Sequence, residues 1–397
     1  MDAVAAAARE SYGRIVATLI RVTGDWELAE DCAQEALAAA LEKWPATGVP
    51  ANPGGWLMTV ARNRAIDMLR RVTVEQRKLR EIAALTPSEA APPEEGENDV
   101  EDDRLRLIFT CCHPALALEA RVALTLRTVC GVPTAEIGQA FLTSESTMTR
   151  RLTRAKTKIA KAGIPYRVPS GPALAERLPG VLAVMYLLFT QGYNPDGETA
   201  FADEAIRLAR LLRRLMPEQP EITGLLALFL FQHSRRAARK DDEGNLLTLD
   251  KQDRARWDHA AIAEGRALLS DLPVSGPYAI QARIAAEHTA DETDWPAVAR
   301  WYDLLAELQP TPVVQLNRAV AHGFAGGPEA GLALLAEARV AGVLDHYAPA
   351  AAAEAELTAR MGDRMKAELL FREAADLTNS PAERRALLDR AAEMEQT

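Results

Sequence analysis

The chain has 397 residues, 48% hydrophobic, 26% charged and only 5% aromatic, the composition of a globular protein of two or three domains in which helices outweigh sheets. No window approaches the ~20 uninterrupted apolar residues of a membrane span and no basic-then-apolar leader opens the chain, so the expected location is the cytoplasm, without a membrane partner. The net charge of −10 argues against nucleic acid only until it is divided along the chain: residues 104–168 hold 11 bases against 3 acids, residues 86–103 hold 8 acids and no base, and residues 169–397 sum to −10.

The first patterned segment is GDWELAEDCAQEALAAALEKWP. Asp25 is placed to cap a helix, Glu27, Glu30 and Asp31 suit its positive N-terminal end, and Leu28, Ala33, Ala36, Leu37, Ala40, Leu41 and Trp44 form its apolar side. Asp31, Gln34 and Glu35 then make an exposed polar cluster, which alone is an ordinary solvated face. A loop from Pro45 to Gly55, with three prolines and three glycines, leads into GGWLMTVARNRAIDMLRR. There Trp56, Leu57, Val60, Ala61, Ala65 and Leu69 pack inward, leaving Arg62, Asn63, Arg64, Arg70 and Arg71 on outer or flanking positions that suit an unpaired nucleic-acid strand.

Residues 86–103, TPSEAAPPEEGENDVEDD, offer almost nothing to bury and read as a disordered acidic linker. A second boundary is expected at the proline- and glycine-rich stretch 163–172, giving units at 1–85, 104–168 and 173–397.

Within the second unit, a short helix from Thr134 to Phe141, a turn at 142–144 and a longer helix from Glu145 follow one another, with Ser144 as N-cap. Met148, Leu152, Ala155 and Ile159 fall on one arc and face the core, so Ser146, Arg150, Thr153 and Thr157 point away, flanked by Thr149 and Arg154. This is the layout of a helix-turn-helix. Arg150 and Arg154 can reach guanine edges, while Lys156, Lys158 and Lys161 suit phosphates. In the third unit Tyr278, Val313 and Tyr347 open similar helical segments at intervals of 35 and 34 residues, close to the tetratricopeptide period of ~34. Ala367, Phe371 and Ala374 repeat that motif's small-large-small packing, with Trp301 and Leu334 as the corresponding large residues, and residues 174–266 are helical without a phase. The fold class is all-α.

Together these segments resemble the extracytoplasmic-function sigma factors, promoter-recognition subunits of bacterial RNA polymerase. TGDWELAEDCAQEAL and WLMTVARNRAIDMLRR resemble region two of that family and AEIGQAFLTSESTMTRRLTRAKTKI region four, over about residues 10–168. Leu142 and Thr143 depart from the family's turn pattern, and the long acidic extension resembles the subgroup with a C-terminal tetratricopeptide-like domain. The resemblance implies binding to core RNA polymerase, with Asp31, Gln34 and Glu35 on the β′ clamp helices and a further contact with the β subunit. It implies promoter contact by Arg62, Asn63, Arg64, Arg70 and Arg71 at the minus-ten element, and by Ser146, Thr149, Arg150, Arg151, Arg154 and Lys158 at the minus-thirty-five element. The extension, with a groove suited to a peptide or protein, is expected to regulate or assist the sigma portion.

Cys111, Cys112, His113 and Cys130 lack paired metal-ligand spacing and sit in apolar helical sequence, and no phosphate loop or nucleophile elbow is present. We expect no catalytic residue, metal or cofactor, and four reduced cysteines. The segment 189–198 is turn-rich and could line a ligand pocket. The rival reading is a dimeric helix-turn-helix regulator whose repeats sense a ligand or peptide.

Overall fold

The computed structural model describes residues 2–83, 97–141, 143–193, 199–274, 276–340 and 342–395. Every extended element among them is helical, the sole β pairing being one isolated bridge between Lys240 and Leu246. Two compact units result, Met1–Leu188 and Phe189–Thr397.

The first unit is built around α1 (Asp2–Thr23), whose stretch from Ile15 to Ile20 is buried on all sides, because it is apolar all round apart from Thr18. Packed on it are α2 (Trp26–Thr47), α3 (Pro53–Ala83) and α4 (Glu97–Cys111). Then come α5 (Leu118–Leu124), which runs into a π-helical turn at Thr125–Val129, α6 (Thr134–Ala140), α7 (Glu145–Lys161) and α8 (Pro172–Tyr193). Asp25 caps α2 as its position predicts, accepting from Glu27 N at 2.9 Å and Leu28 N at 3.1 Å. The expected loop from Pro45 is shorter than anticipated. Pro45 falls in the last turn of α2, which continues to Thr47 and stops at Gly48, whose φ of 81° is a left-handed value that glycine adopts without strain. On the expected apolar side of α2, Leu41 proves exposed.

Two boundaries differ from the sequence reading. The acidic linker does not extend to 103: Glu97–Asp103 forms the start of α4, while the rest of the 86–103 segment lies outside the described residues. Asp103 is fully buried, accepting from Arg21 Nε at 2.8 Å and an Arg106 Nη at 2.6 Å, so two guanidiniums replace the water it loses. Nor are residues 1–85 and 104–168 separate bodies. Gly13 on α1 meets the π-turn so closely that a Cβ there would lie 2.2 Å from Val129 O, and Tyr166 Oη donates to Ala17 O at 2.9 Å. The first unit then continues past 168, since Leu178, Val181, Leu182, Val184, Met185 and Leu188 of α8 are buried and Arg177 donates to Phe109 O. By length and composition alone α8 could cross a membrane. Six of its apolar side chains, from Leu178 to Leu188, are buried in the first unit, while Leu174 and Leu187 are half-buried.

The second unit holds α9 (Thr199–Leu215) and α10 (Pro220–Ser234), then α11 (His259–Ser270), α12 (Pro277–Glu287), α13 (Trp295–Leu308), α14 (Pro312–Gly326), α15 (Pro328–Arg339), α16 (Ala348–Arg360), α17 (Arg364–Leu377) and α18 (Pro381–Glu395). α10 is buried without interruption from Gly224 to Phe231, between α9, α11 and α12. Its Glu221 carboxylate accepts from Tyr278 N at 2.9 Å and Ala279 N at 3.1 Å, capping α12, whose own N-cap residue Gly276 has no side chain to do so. From α12 onward helices pair, α12 with α13, α14 with α15 and α16 with α17, with α18 closing the series. Tyr278 and Val313 are the second residues of α12 and α14, while Tyr347 is the residue that precedes α16 as its N-cap. Ala367, Phe371 and Ala374 are buried, and Trp301 and Leu334 are partly buried against the matching clusters. Gly323 and Gly331 let α14 and α15 touch backbone to backbone: a Cβ on Gly331 would lie 2.7 Å from Gly323 Cα.

Candidate functional site

Two helical faces of the first unit concentrate the candidate residues. On α7 the expected stripe is buried, with Met148 at 0%, Leu152 at 6%, Ala155 at 4% and Ile159 at 4% exposure. Ser144 Oγ accepts from Thr147 N at 3.3 Å and so caps the helix. The turn before it closes through Thr143 N to Gly138 O at 2.9 Å, while Leu142 lies outside the described residues. Inward packing and cap fix the rotation of α7. Ser146, Thr149, Arg150, Arg154 and Lys158 are thereby left exposed. Arg151 is half-buried, its guanidinium 5.8 Å from the centroid of the Phe141 ring, which holds it at the edge of the face. Between this face and the start of α5 runs a groove of about 380 Å³ lined by Leu116, Ala117, Arg150, Arg151, Arg154 and Lys158. Such an arrangement offers charge and fork-shaped donors to a polyanion.

On α2, Asp31, Gln34 and Glu35 are exposed, while Ala29, Cys32, Ala33 and Ala36 face the core. On α3, Leu57, Ala61 and Ala65 are buried, Asn63, Arg64 and Arg70 are exposed, and Arg62 is half-buried. Arg71 lies on α3 with its side chain outside the described residues. Glu35 and Arg64, assigned from the sequence to different partners, form one exposed ion pair of 2.8 Å. Neither is therefore held free for its expected contact in this structure. Trp44 and Trp56 pack edge to face at 5.5 Å, holding the end of α2 to the start of α3.

Sequence reasoning missed the residue that ties these faces together. Glu30, read only as an acid suited to a helix start, is 6% exposed. It meets Lys156 Nζ of α7 at 2.8 Å and Arg127 Nε of the π-turn at 3.6 Å, and accepts from Thr128 Oγ1 at 3.4 Å. Lys156, expected on phosphates, is thus occupied, because it sits beside Ala155 on the flank that turns toward the core. Beside it, burial and the Glu30 charge push the Tyr12 phenol up to about 12. No spacing rule in the sequence could pair Glu30 with Lys156, since they belong to different helices.

All four cysteines are buried free thiols. Burial raises the Cys111 thiol well above its usual range and Cys112 to about 11, so both are neutral near pH 7 and serve as small apolar groups. Cys112 Sγ lies 3.6 Å from Thr125 Oγ1. Among the described residues no three His, Cys, Asp or Glu side chains converge as a metal site.

Comparison with known proteins matches residues 8–74 to Sigma-70 region 2, residues 106–159 to Sigma-70 region 4 and residues 177–272 to a family of unknown function, DUF6596. An uncharacterized protein, R00370 of Rhizobium meliloti, is 43% identical over 80% of this chain and 78% of its own length. The ECF RNA polymerase sigma factor SigL of Mycobacterium tuberculosis is 31% identical over 38% of this chain and 85% of its own. The probable ECF RNA polymerase sigma factor SigI of the same species is 27% identical over 41% of this chain and 56% of its own. A solved structure, yeast Tom70, covers 98% of this chain and 82% of its own at 14% identity and a TM-score of 0.35, too distant to bear on the argument.

Proposed function

Because this chain belongs to the extracytoplasmic-function sigma factors of the sigma-70 family, in the subgroup with a helical C-terminal extension, we propose that it directs core RNA polymerase to a defined set of promoters through the two faces described above. The observation that carries the reading is the outer face of α7. Arg150, Arg154 and Lys158 stand exposed on a helix whose rotation is fixed by a buried stripe and a serine cap, which suits entry into a major groove. In this reading Ser146, Thr149, Arg150, Arg151, Arg154 and Lys158 contact the minus-thirty-five element. Asn63, with Arg62, Arg64, Arg70 and Arg71, engages the minus-ten element as the duplex opens. Asp31, Gln34 and Glu35 dock on the β′ clamp helices, and the β subunit gives the second anchorage. Glu35 and Arg64 exchange their mutual pair for these partners. The exchange is easy, since an exposed pair is worth under about 1 kcal/mol.

Chemistry of RNA synthesis stays with the polymerase, and this chain contributes binding and strand capture. The helical stack from α12 to α18 then regulates or assists the sigma portion.

The test is transcription in vitro with purified core polymerase and the full chain over a genomic promoter library. Defined start sites that require the added protein are expected. Each of Arg150→Ala and Arg154→Ala should lower their output about tenfold and flatten the salt dependence of promoter binding by roughly one ion. Asp31→Ala should weaken polymerase binding while leaving binding to duplex DNA alone unchanged. Start sites indifferent to the added chain would end the proposal. Specific binding to duplex DNA without any polymerase association would instead favour the dimeric regulator.

A further inference from the structure

In the second unit a cavity of about 630 Å³ opens where the C-terminal ends of α14 and α16 approach α18. Its walls include Trp295, Phe324, Glu356, Arg360 and Arg390, and the segment carrying Leu249 and Arg254 crosses it as a strap. That segment is made of two 3₁₀ turns, Leu249–Lys251 and Arg254–Arg256, and Lys251 Nζ fastens it to Glu393 of α18 at 2.6 Å. The volume is that of a small-ligand site and far exceeds one side chain.

Two guanidiniums in this cavity share an unusual setting. Arg360 lies 3.7 Å from the centroid of the Phe324 ring, and Arg254 lies 4.8 Å from that of Trp257 while donating to Ala290 O. A guanidinium laid against a ring keeps its in-plane N–H donors directed outward, and the ring fixes it there with little entropy left to lose. Arg390 is already satisfied by Glu356 at 2.5 Å and by Glu393. Among the described residues Arg360 pairs only with the shared Glu356, at 3.6 Å, and Arg254 with no carboxylate. Phe324 in turn stacks on Trp295, with ring centroids 4.2 Å apart, so an aromatic wall stands beside the two half-satisfied cations.

The charge count limits the ligand. Asp250 and Glu292 also line the cavity; the Thr248 hydroxyl holds the Asp250 carboxyl below its usual range, and Glu292 is exposed. The lining holds three cations, Arg254, Arg360 and Arg390, against three acids, Asp250, Glu292 and Glu356, so a dianion would be repelled, and a single carboxylate is admitted only beside Arg254 and Arg360, the two guanidiniums without a close carboxylate. We propose that this cavity is a binding site for a small monocarboxylate with an apolar ring, the ring against Trp295 and the edge of Phe324, whose faces Trp295 and Arg360 cover, and the carboxylate on Arg254 and Arg360. This inference stands apart from promoter recognition, since binding is read without polymerase or DNA.

The test is calorimetric titration of the full chain with benzoate and indole-3-carboxylate, with benzamide and benzylamine as uncharged and cationic counterparts. Saturable binding of at least one carboxylate is expected in the millimolar range or tighter, with neither counterpart bound, as befits a ligand of about ten heavy atoms. Arg254→Lys and Arg360→Lys keep the charge and remove the fork, and each should weaken binding about tenfold without altering the thermal melt. Trp295→Phe locates the site independently by abolishing ligand-induced quenching of tryptophan emission. Failure of both carboxylates to bind, equal binding of benzamide or benzylamine, or affinity unchanged in both arginine variants would each overturn the proposal.

Discussion

The outer faces of α2 and α7 differ in sign and agree in construction. Asp31, Gln34 and Glu35 on one, and Arg150, Arg154 and Lys158 on the other, stand in water on helices whose opposite sides are locked by alanine, leucine, methionine and isoleucine. Between them the polarity inverts: Glu30 and Lys156, next to exposed residues of each face, turn inward and meet at 2.8 Å. Charge type therefore does not tell a contact residue from a structural one. A shift of one helical position, about 100°, decides it.

That contrast can be broken or sharpened by substitution. The largest effect is expected at Gly13→Ala, whose new Cβ meets the Val129 carbonyl in a place neither backbone can leave. A loss of about 3 kcal/mol or more in urea unfolding should follow, and a variant as stable as the parent would mean that α1 and the π-turn are not in contact. Next comes Glu30→Ala, which strands Lys156 and Arg127 without their carboxylate. Since Lys156 keeps 16% of its side-chain surface, roughly 2 to 3 kcal/mol should be lost. The double change Glu30→Met with Lys156→Met should recover much of it, and additive losses would deny the pairing. Ser144→Ala removes the cap of α7 and should cost about 1 kcal/mol, read as faster amide exchange at Thr147. Smallest is Glu35→Ala, an exposed partner of Arg64, whose effect on stability should stay within about 0.5 kcal/mol. Polymerase affinity should fall in that variant all the same. A stability loss as large as that of Glu30→Ala would erase the distinction between the two acids.

The sequence disclosed those elements whose signals are local. α7 was legible because cap, stripe and outer face lie within about four turns, and the repeats from α12 onward because their first helices open at a near-constant interval. α10 gave no phase, since a helix buried on every side has no period to detect. Asp103 was hidden for the opposite reason: it closes an acidic run whose composition reads as a linker, and its partner Arg21 lies 82 positions earlier. Glu30 was seen but misplaced, because only the packing of α2 against the helix-turn-helix brings Lys156 to it. The expected boundary at 163–172 lies between the region 4 match, which ends at 159, and the DUF6596 match, which starts at 177, whereas packing carries the first compact unit on to Leu188. A chain cut after residue 168 would remove the part of α8 from Leu178 to Leu188 that is buried in the first unit, so a truncation test of the extension belongs beyond Leu188.

The start of α4 at Glu97 carries a mechanical consequence. Residues 84–96 are all that joins the end of α3 to it, and at ~3.5 Å per residue a fully drawn chain of that length covers at most about 45 Å. Yet Asp103 of α4 is clasped by Arg21 of α1, so drawing α4 away from α1 on that tether would part this ion pair long before the tether is taut.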